Sequence, residues 1–183
     1  GGALRTTTSL SLTNLTGAVG SSLANAEGAT ATLITHRGTG NYTGVISDGA
    51  SGTLGVYVAS GALRLNAANT YSGGTIVASG ATLEIGVINP GGSGNAGSGG
   101  IVASNAAVIS LPTAVSTAAS PNNAITNIDA NGTIILSSAS QGNSFNGLFI
   151  GGPNNTNIFV GPGSIGGAET FAQFSGTIIF TNG

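Results

Sequence analysis

The side chains that could perform acid–base or metal chemistry are few and far apart. The carboxylates are Glu27, Asp48, Glu84, Asp129 and Glu169. Even the two that are nearest in the sequence, Glu27 and Asp48, do not belong to one local motif. Hydrolysis of a glycosidic bond needs two carboxyl groups facing that bond, and this spacing offers no local pair. We therefore expect the carboxylates to occupy solvated or turn positions.

The other catalytic residue types are scarcer still. The chain has no Cys and a single histidine, His36, so disulfides, thiolate catalysis and most metal-ligand sets have no residues to build them. No Gly-x-Ser-x-Gly sequence with partner residues is present. We interpret His36 and Arg37, the one local polar cluster, as a surface loop between two strands. The sequence predicts a protein that is not an enzyme, with no catalytic residue, no metal and no cofactor.

Charge is sparse throughout the chain. Its 183 residues include 3 Lys+Arg and 5 Asp+Glu, or 4% charged, against about 25% in ordinary domains. The net charge of −2 leaves no basic patch for nucleic acid. No run of about 18 apolar residues predicts a membrane-spanning helix. With 33 glycines and 40% hydrophobic residues, the composition points to an ordered structural or binding protein.

Short sequences recur along the chain. The pentapeptide Val-Ala-Ser-Gly-Ala at residues 58–62 recurs at 77–81 and, with Asn in place of Gly, at 102–106. Turn residues fall at positions 61, 80, 105, 131, 155 and 175. Their degenerate period of about 23 residues is typical of a repeat architecture.

A second motif has an aromatic residue, a small polar residue and glycine. It occurs four times, at Tyr42 to Gly44, Tyr71 to Gly73, Phe145 to Gly147 and Phe174 to Gly176. The separation between the first two copies equals the separation between the last two. Because Phe and Tyr are rare in the chain, with 6 Phe and 3 Tyr, this recurrence indicates a repeated structural role.

The stretches between turns alternate polar and apolar residues, as in 62–65 and 82–85, which predicts half-buried strands. Short strands at this period predict an all-β fold, a parallel β-helix or β-solenoid of roughly 7–8 coils. A β-sandwich is the alternative, but it does not explain the recurring pentapeptide. The predicted inward-facing row is Leu63, Leu65, Leu83, Ile85, Ile134, Leu136, Ile178 and Phe180.

The stretch from Asn69 to Gly86, Asn-Thr-Tyr-Ser-Gly-Gly-Thr-Ile-Val-Ala-Ser-Gly-Ala-Thr-Leu-Glu-Ile-Gly, closely resembles the autotransporter-associated β-strand repeat. Residues 38–86 look like one and a half such units. The resemblance implies a right-handed β-helix, an extracellular or bacterial cell-surface location, and a stalk or adhesive role without catalytic residues. We accordingly divide a single domain, 1–183, into N-terminal coils or cap (1–37), the best-matching repeats (38–86) and degenerate repeats (87–183).

Two side chains are expected to pair across adjacent coils. Arg64 and Glu84 are each the outward residue of an alternating strand that follows a Val-Ala-Ser-Gly-Ala corner. We predict that they lie in one column and form an ion pair, which contributes about 0.2–1 kcal/mol when exposed.

The ends of the chain carry apolar, alternating strands without a charged cap. The predicted assembly edges are Ser9, Leu10, Ser11 and Leu12 at one end and Thr177, Ile178, Ile179 and Phe180 at the other. Because unpaired strand edges are templates for another chain, we predict a head-to-tail filament subunit, joined to further copies or to adjacent repeats of a longer chain. The alternative is a surface adhesin that binds carbohydrate or a host surface, which would need Tyr42, Tyr57 and Tyr71 in one exposed patch.

Overall fold

The computed structural model describes residues 2–86, 96–111, 123–139, 144–162, 164–165 and 171–181. These residues form eighteen β-strands and no helix. In chain order the strands are β1 (Ala3–Thr6), β2 (Leu10–Leu12), β3 (Ser22–Asn25), β4 (Ala31–Tyr42), β5 (Val45–Ser47), β6 (Thr53–Leu65), β7 (Thr75–Val77), β8 (Thr82–Ile85), β9 (Ile101–Ala103), β10 (Val108–Leu111), β11 (Ile125–Asn127), β12 (Thr133–Ser138), β13 (Ser144–Phe145), β14 (Phe149–Gly151), β15 (Thr156–Val160), β16 (Ser164–Ile165), β17 (Gln173–Phe174) and β18 (Thr177–Thr181).

Every strand pair in the described residues is parallel, and each strand pairs with the strand about one period further along the chain. Leu10 of β2 is in register with Ile34 of β4, Thr75 of β7 with Ile101 of β9, and Ile101 in turn with Ile125 of β11. Parallel pairing at a nearly constant offset is a stack of coils, so the structure confirms the β-solenoid. It also excludes the β-sandwich, whose sheets are antiparallel.

The coil has three faces. Face 1 is the sheet β1-β3-β5, and β13 and β16 take the corresponding place later in the chain order. Face 2 contains β2, residues 31–36 of β4, residues 53–58 of β6, β7, β9, β11, β14 and β17. Face 3 contains residues 37–42 of β4, residues 60–65 of β6, β8, β10, β12, β15 and β18.

The period predicts roughly 7–8 coils for the whole length, and in the described residues eight strands stack on face 2 and seven on face 3. The long strands β4 and β6 each pass from face 2 to face 3 without a break, and a register shift marks the corner between His36 and Arg37.

The core is made of columns of side chains stacked along the solenoid. On face 3 the inward column runs through Leu63, Leu83, Ile109, Leu136, Phe159 and Phe180. Its first five members are buried, which confirms the predicted inward row over most of its length. The prediction of burial is wrong for Phe180, which is 70% exposed, because no turn in the described residues follows it.

The corner between face 2 and face 3 is marked by a residue with positive φ in five successive turns. The residues are Gly38, Gly61, Gly80, Ala106 and Asn131. Glycine and Asn adopt this conformation readily, whereas alanine is strained there. The predicted turn residues 61, 80 and 131 fit this role. The predicted turn residue Asn105 does not, because the positive φ falls on its neighbour Ala106.

Candidate functional site

The two ends of the stack are where the structure offers surfaces that its own strands do not complete. At the N-terminal end, β1 pairs only with β3, and β2 only with β4. At the C-terminal end, within the described residues, β17 pairs only with β14 and β18 only with β15. Each outermost strand therefore has one hydrogen-bonding edge without a neighbour among the described strands.

The N-terminal end opens into a cavity of about 410 Å³. Its apolar lining comes from all three sides of the coil: Leu4, Leu12, Leu15, Leu23 and Tyr42 contribute to it. Leu4 is 51% exposed, although it is in register with the buried Leu23 on the next turn. Among the described residues, no strand covers the hydrophobic core at this cavity.

The C-terminal end presents phenylalanine. The rings of Phe145, Phe149, Phe159, Phe171 and Phe180 are linked by stacked or edge-to-face contacts. Phe180 stacks on Phe159 with the ring centroids 5.3 Å apart, and its other side is open. Ile179, beside it on the outer side of β18, is 42% exposed. Among the described residues, the core is aliphatic over most of its length and carries an exposed aromatic surface at its C-terminal turn.

The predicted assembly edges are both terminal strands, but they lie on different faces. Leu10, Ser11 and Leu12 form β2, which pairs with residues 34–36 of β4 on face 2. Ser9 lies just before this strand, and its hydroxyl accepts a hydrogen bond from the Leu33 amide. Residues 177–180 belong to β18 on face 3. A direct pairing of these two edges would require a change of face, and the strand in line with β2 at the C-terminal end is β17.

The aromatic–polar–glycine motif has a common packing explanation. Tyr42, Tyr71 and Phe145 are buried, and Phe174 is half-buried. A Cβ at any of the four following glycines would lie less than 3 Å from a backbone oxygen of the preceding turn; these pairs are Gly44 with Ser21, Gly73 with Leu54, Gly147 with Asn123 and Gly176 with Asn155. The motif thus places an aromatic side chain in the core where the chain passes tightly over its neighbour.

The spacing of this motif is not the coil period. Tyr42 is in register with Leu65 on the next turn, so Tyr71 lies beyond that point, at the following corner. The motif therefore serves different corners of the solenoid, and the repeat itself is set by the strand offsets.

His36 has a role that sequence reasoning missed. It is fully buried within β4, in the inward column between Leu12 and Val58, instead of in a surface loop. The Leu15 amide donates to His36 Nδ1 at 3.2 Å, and Nε2 lies 3.1 Å from the Gly38 carbonyl oxygen and 3.2 Å from that of Ala62. Because carbonyl oxygens only accept, Nε2 carries the hydrogen. One imidazole thus ties the first turn to the next two.

Acidic side chains bridge adjacent turns, and Glu84 and Asp48 are two of them. The predicted pair is present: Arg64 Nε lies 2.7 Å from Glu84 Oε2, and the two residues are in register on β6 and β8. Asp48 accepts hydrogen bonds from the amides of Leu54 and Ser72 at 2.8 and 2.9 Å. Partial burial raises the pKa of Asp48, but these hydrogen bonds outweigh it and hold the pKa below its ordinary value. Both carboxylates have structural partners.

Tyr71 has a deeply buried hydroxyl. Its phenol oxygen lies 2.6 Å from the Thr75 hydroxyl, which in turn lies 3.3 Å from the Ala96 carbonyl oxygen. Burial raises the pKa of Tyr71 well above its ordinary value, although the hydrogen bond with Thr75 lowers it in part. The side chain therefore supports the core, and its hydroxyl is not available to a ligand in solution.

Within the described ranges, no three His, Asp or Glu side chains come together as a metal site would require. Glu169 lies outside the described residues. The same ranges contain no helix long and apolar enough to cross a membrane.

Comparison with known proteins adds no relative. No protein-family model matches the chain, and no curated protein or solved structure is significantly similar to it. The β-solenoid fold is consistent with a structural or adhesin-like repeat protein.

Proposed function

We propose that this chain is a non-enzymatic structural protein, a β-solenoid rod that assembles head to tail through its open strand edges. The single observation that carries the proposal is that both ends of the stack leave strand edges and hydrophobic core uncovered by the described residues. Soluble solenoids usually protect such ends with polar caps, and edge strands are usually protected by charge, proline or bulges.

The sparse charge supports this role. The N-terminal end consists of β1, β2 and residues 13–17, which lead to the bridge between Gly17 and Tyr42 on face 3. The C-terminal end consists of β17 and β18. Among these described residues only Arg5 carries a full charge. Two such ends can approach without like-charge repulsion between their strands. A contact between two different surfaces of the same chain also repeats without closing, and this yields an open filament.

The resemblance of residues 69–86 to the autotransporter-associated repeat supports an extracellular or bacterial cell-surface location. In that setting the rod would act as a stalk or fibre. The carbohydrate-binding adhesin is the weaker alternative, because Tyr42 and Tyr71 are buried in the core and only Tyr57 is partly exposed on an outer face.

The proposal is tested by negative-stain electron microscopy of the purified chain over a range of concentrations. We expect rods or fibres longer than one chain, with strands perpendicular to the fibre axis and a repeat of about 4.8 Å along it in fibre diffraction. Particles that stay the size of one chain at every concentration would contradict the proposal.

A further inference from the structure

We infer that the two ends join in the register of the solenoid itself, with β18 stacking on residues 13–17 of a second copy and β17 stacking on its β2. This inference rests on the proposed head-to-tail assembly and names the residues that meet in it. It differs from an assembly in which β18 meets the predicted edge residues Ser9 to Leu12 directly.

The column of outward residues on face 3 defines one contact. Thr181 pairs with Val160, Val160 with Ser137, and the column continues through Ser110, Glu84 and Arg64 to Asn41. The bridge between Gly17 and Tyr42 places Thr16 next to Asn41 at the N-terminal end of this column. A further copy that continues the stack therefore brings the partner's Thr16 beside Thr181.

The outward column on face 2 defines a second contact independently. Gln173 pairs with Ile150, and the column continues through Thr126, Val102, Ile76, Tyr57 and Thr35 to Ser11. Continuing this column brings the partner's Ser11 beside Gln173. Both faces thus require the same translation, so both contacts form in a single docking geometry.

The two core ends also fit each other. In the same register Phe180 lies over the partner's Leu15, at the cavity lined by the first-turn leucines. The exposed ring of Phe180 and the exposed side chain of Leu4 would both become covered. Apolar burial stabilises the contact in proportion to the apolar surface removed from water. A second copy therefore pairs with the open strand edges of each end, continues its columns of side chains and covers its exposed apolar residues.

The chain's lack of cysteine allows a direct test. Neighbouring strands are about 4.8 Å apart, within the Cα separation of about 4.4–6.8 Å that a disulfide accepts. Two double variants place cysteines at predicted contacts, Thr16→Cys with Thr181→Cys on face 3 and Ser11→Cys with Gln173→Cys on face 2. The matched control, Ser11→Cys with Thr181→Cys, tests a direct pairing of β2 with β18. All four positions are exposed, so the substitutions spare the core.

After mild oxidation, non-reducing gels should show a ladder of covalent multimers for both register variants, at least tenfold above the single variant Thr181→Cys. The control should stay near the level of that single variant. Fibres that cross-link in the control pair, or in neither register pair, would overturn the register and leave the proposed function standing. Chains that form neither fibres nor cross-links would overturn both the register and the head-to-tail assembly. This outcome covers the case in which the ends stack only on adjacent repeats of a longer chain.

Discussion

At the scale of single residues, the buried polar side chains hold neighbouring turns together. His36 hydrogen bonds to Leu15 on the turn before it and to the Ala62 carbonyl on the turn after it. Replacing His36 with Phe keeps an aromatic ring but leaves the Leu15 amide without its acceptor. A buried donor without a partner costs about 1–3 kcal/mol.

We expect His36→Phe to lower the free energy of unfolding by that amount and to speed hydrogen exchange at the Leu15 amide at least tenfold. Thr35→Val, an outward change on the same strand, is the matched control and should change neither measurement appreciably. Unchanged exchange at Leu15 in His36→Phe would show that the first turn is held by other contacts.

Tyr71 predicts a dependence of stability on alkaline pH. Because burial raises its pKa in the folded state, the unfolded chain loses the phenol proton first, at about pH 10. The contribution of Tyr71 to stability is therefore complete below about pH 10 and is lost as the pH rises towards the folded-state pKa.

Tyr71→Phe should cost about 1 kcal/mol at neutral pH through the lost hydrogen bond, and it should flatten the fall in stability above about pH 10. Urea unfolding near neutral pH and at several more alkaline values measures both effects. Parallel curves for wild type and Tyr71→Phe across the alkaline range would contradict this assignment.

At the scale of elements, the corner between face 2 and face 3 determines how each turn continues. Ala106 occupies this corner at φ 60°, where its counterparts Gly61 and Gly80 are at φ 70°. A left-handed conformation costs alanine roughly 1–2 kcal/mol. Glycine avoids this strain, but its greater conformational freedom in the unfolded state offsets part of the gain in stability.

Ala106→Gly should therefore raise the free energy of unfolding by about 0.5–1 kcal/mol. Ala50→Gly is the matched control, because Ala50 is also an exposed turn residue but has no positive φ. Ala50→Gly should lower the free energy of unfolding by about 0.5–1 kcal/mol. Thermal or urea unfolding compares the two variants. An equal loss of stability in both would contradict the strain at Ala106.

The elements also show what could be predicted from the sequence. The alternation of Ala-Leu-Arg-Leu at 62–65 and Thr-Leu-Glu-Ile at 82–85 predicts correctly which side chains face inward, and it places Arg64 beside Glu84. Side-chain alternation distinguishes inside from outside because successive strand residues point to opposite sides. It carries no information about which of three faces a strand joins, so it could not show that the two predicted assembly edges, in β2 and β18, lie on different faces.

The assignment of His36 failed for a related reason. A polar dipeptide, His36-Arg37, is most often at the surface, whereas here His36 continues the inward alternation of Thr32 and Ile34 along β4, and the next residue, Arg37, is exposed. The hydrogen-bond partners of His36 are Leu15, Gly38 and Ala62. Such a network depends on the stacking of turns, and no local pattern in the sequence indicates it.

At the scale of the whole molecule, composition and architecture have one explanation. A solenoid needs stacked uncharged columns inside and tolerates few like charges in register outside, because like charges directly opposite on neighbouring strands are destabilising. The same sparse charge leaves both ends without the protection that edge strands usually carry. Assembly through those ends is therefore the central claim.

Sedimentation velocity of the wild type and Phe180→Asp over a hundredfold range of concentration tests this claim. Ile76→Asp is the matched control, since Ile76 is 39% exposed on the outer side of the internal strand β7. We expect the wild type and Ile76→Asp to form long assemblies, whereas Phe180→Asp stays a folded monomer with an unchanged circular dichroism spectrum. Wild-type monomers at every concentration, or Phe180→Asp assemblies equal to those of the wild type, would contradict assembly through the ends.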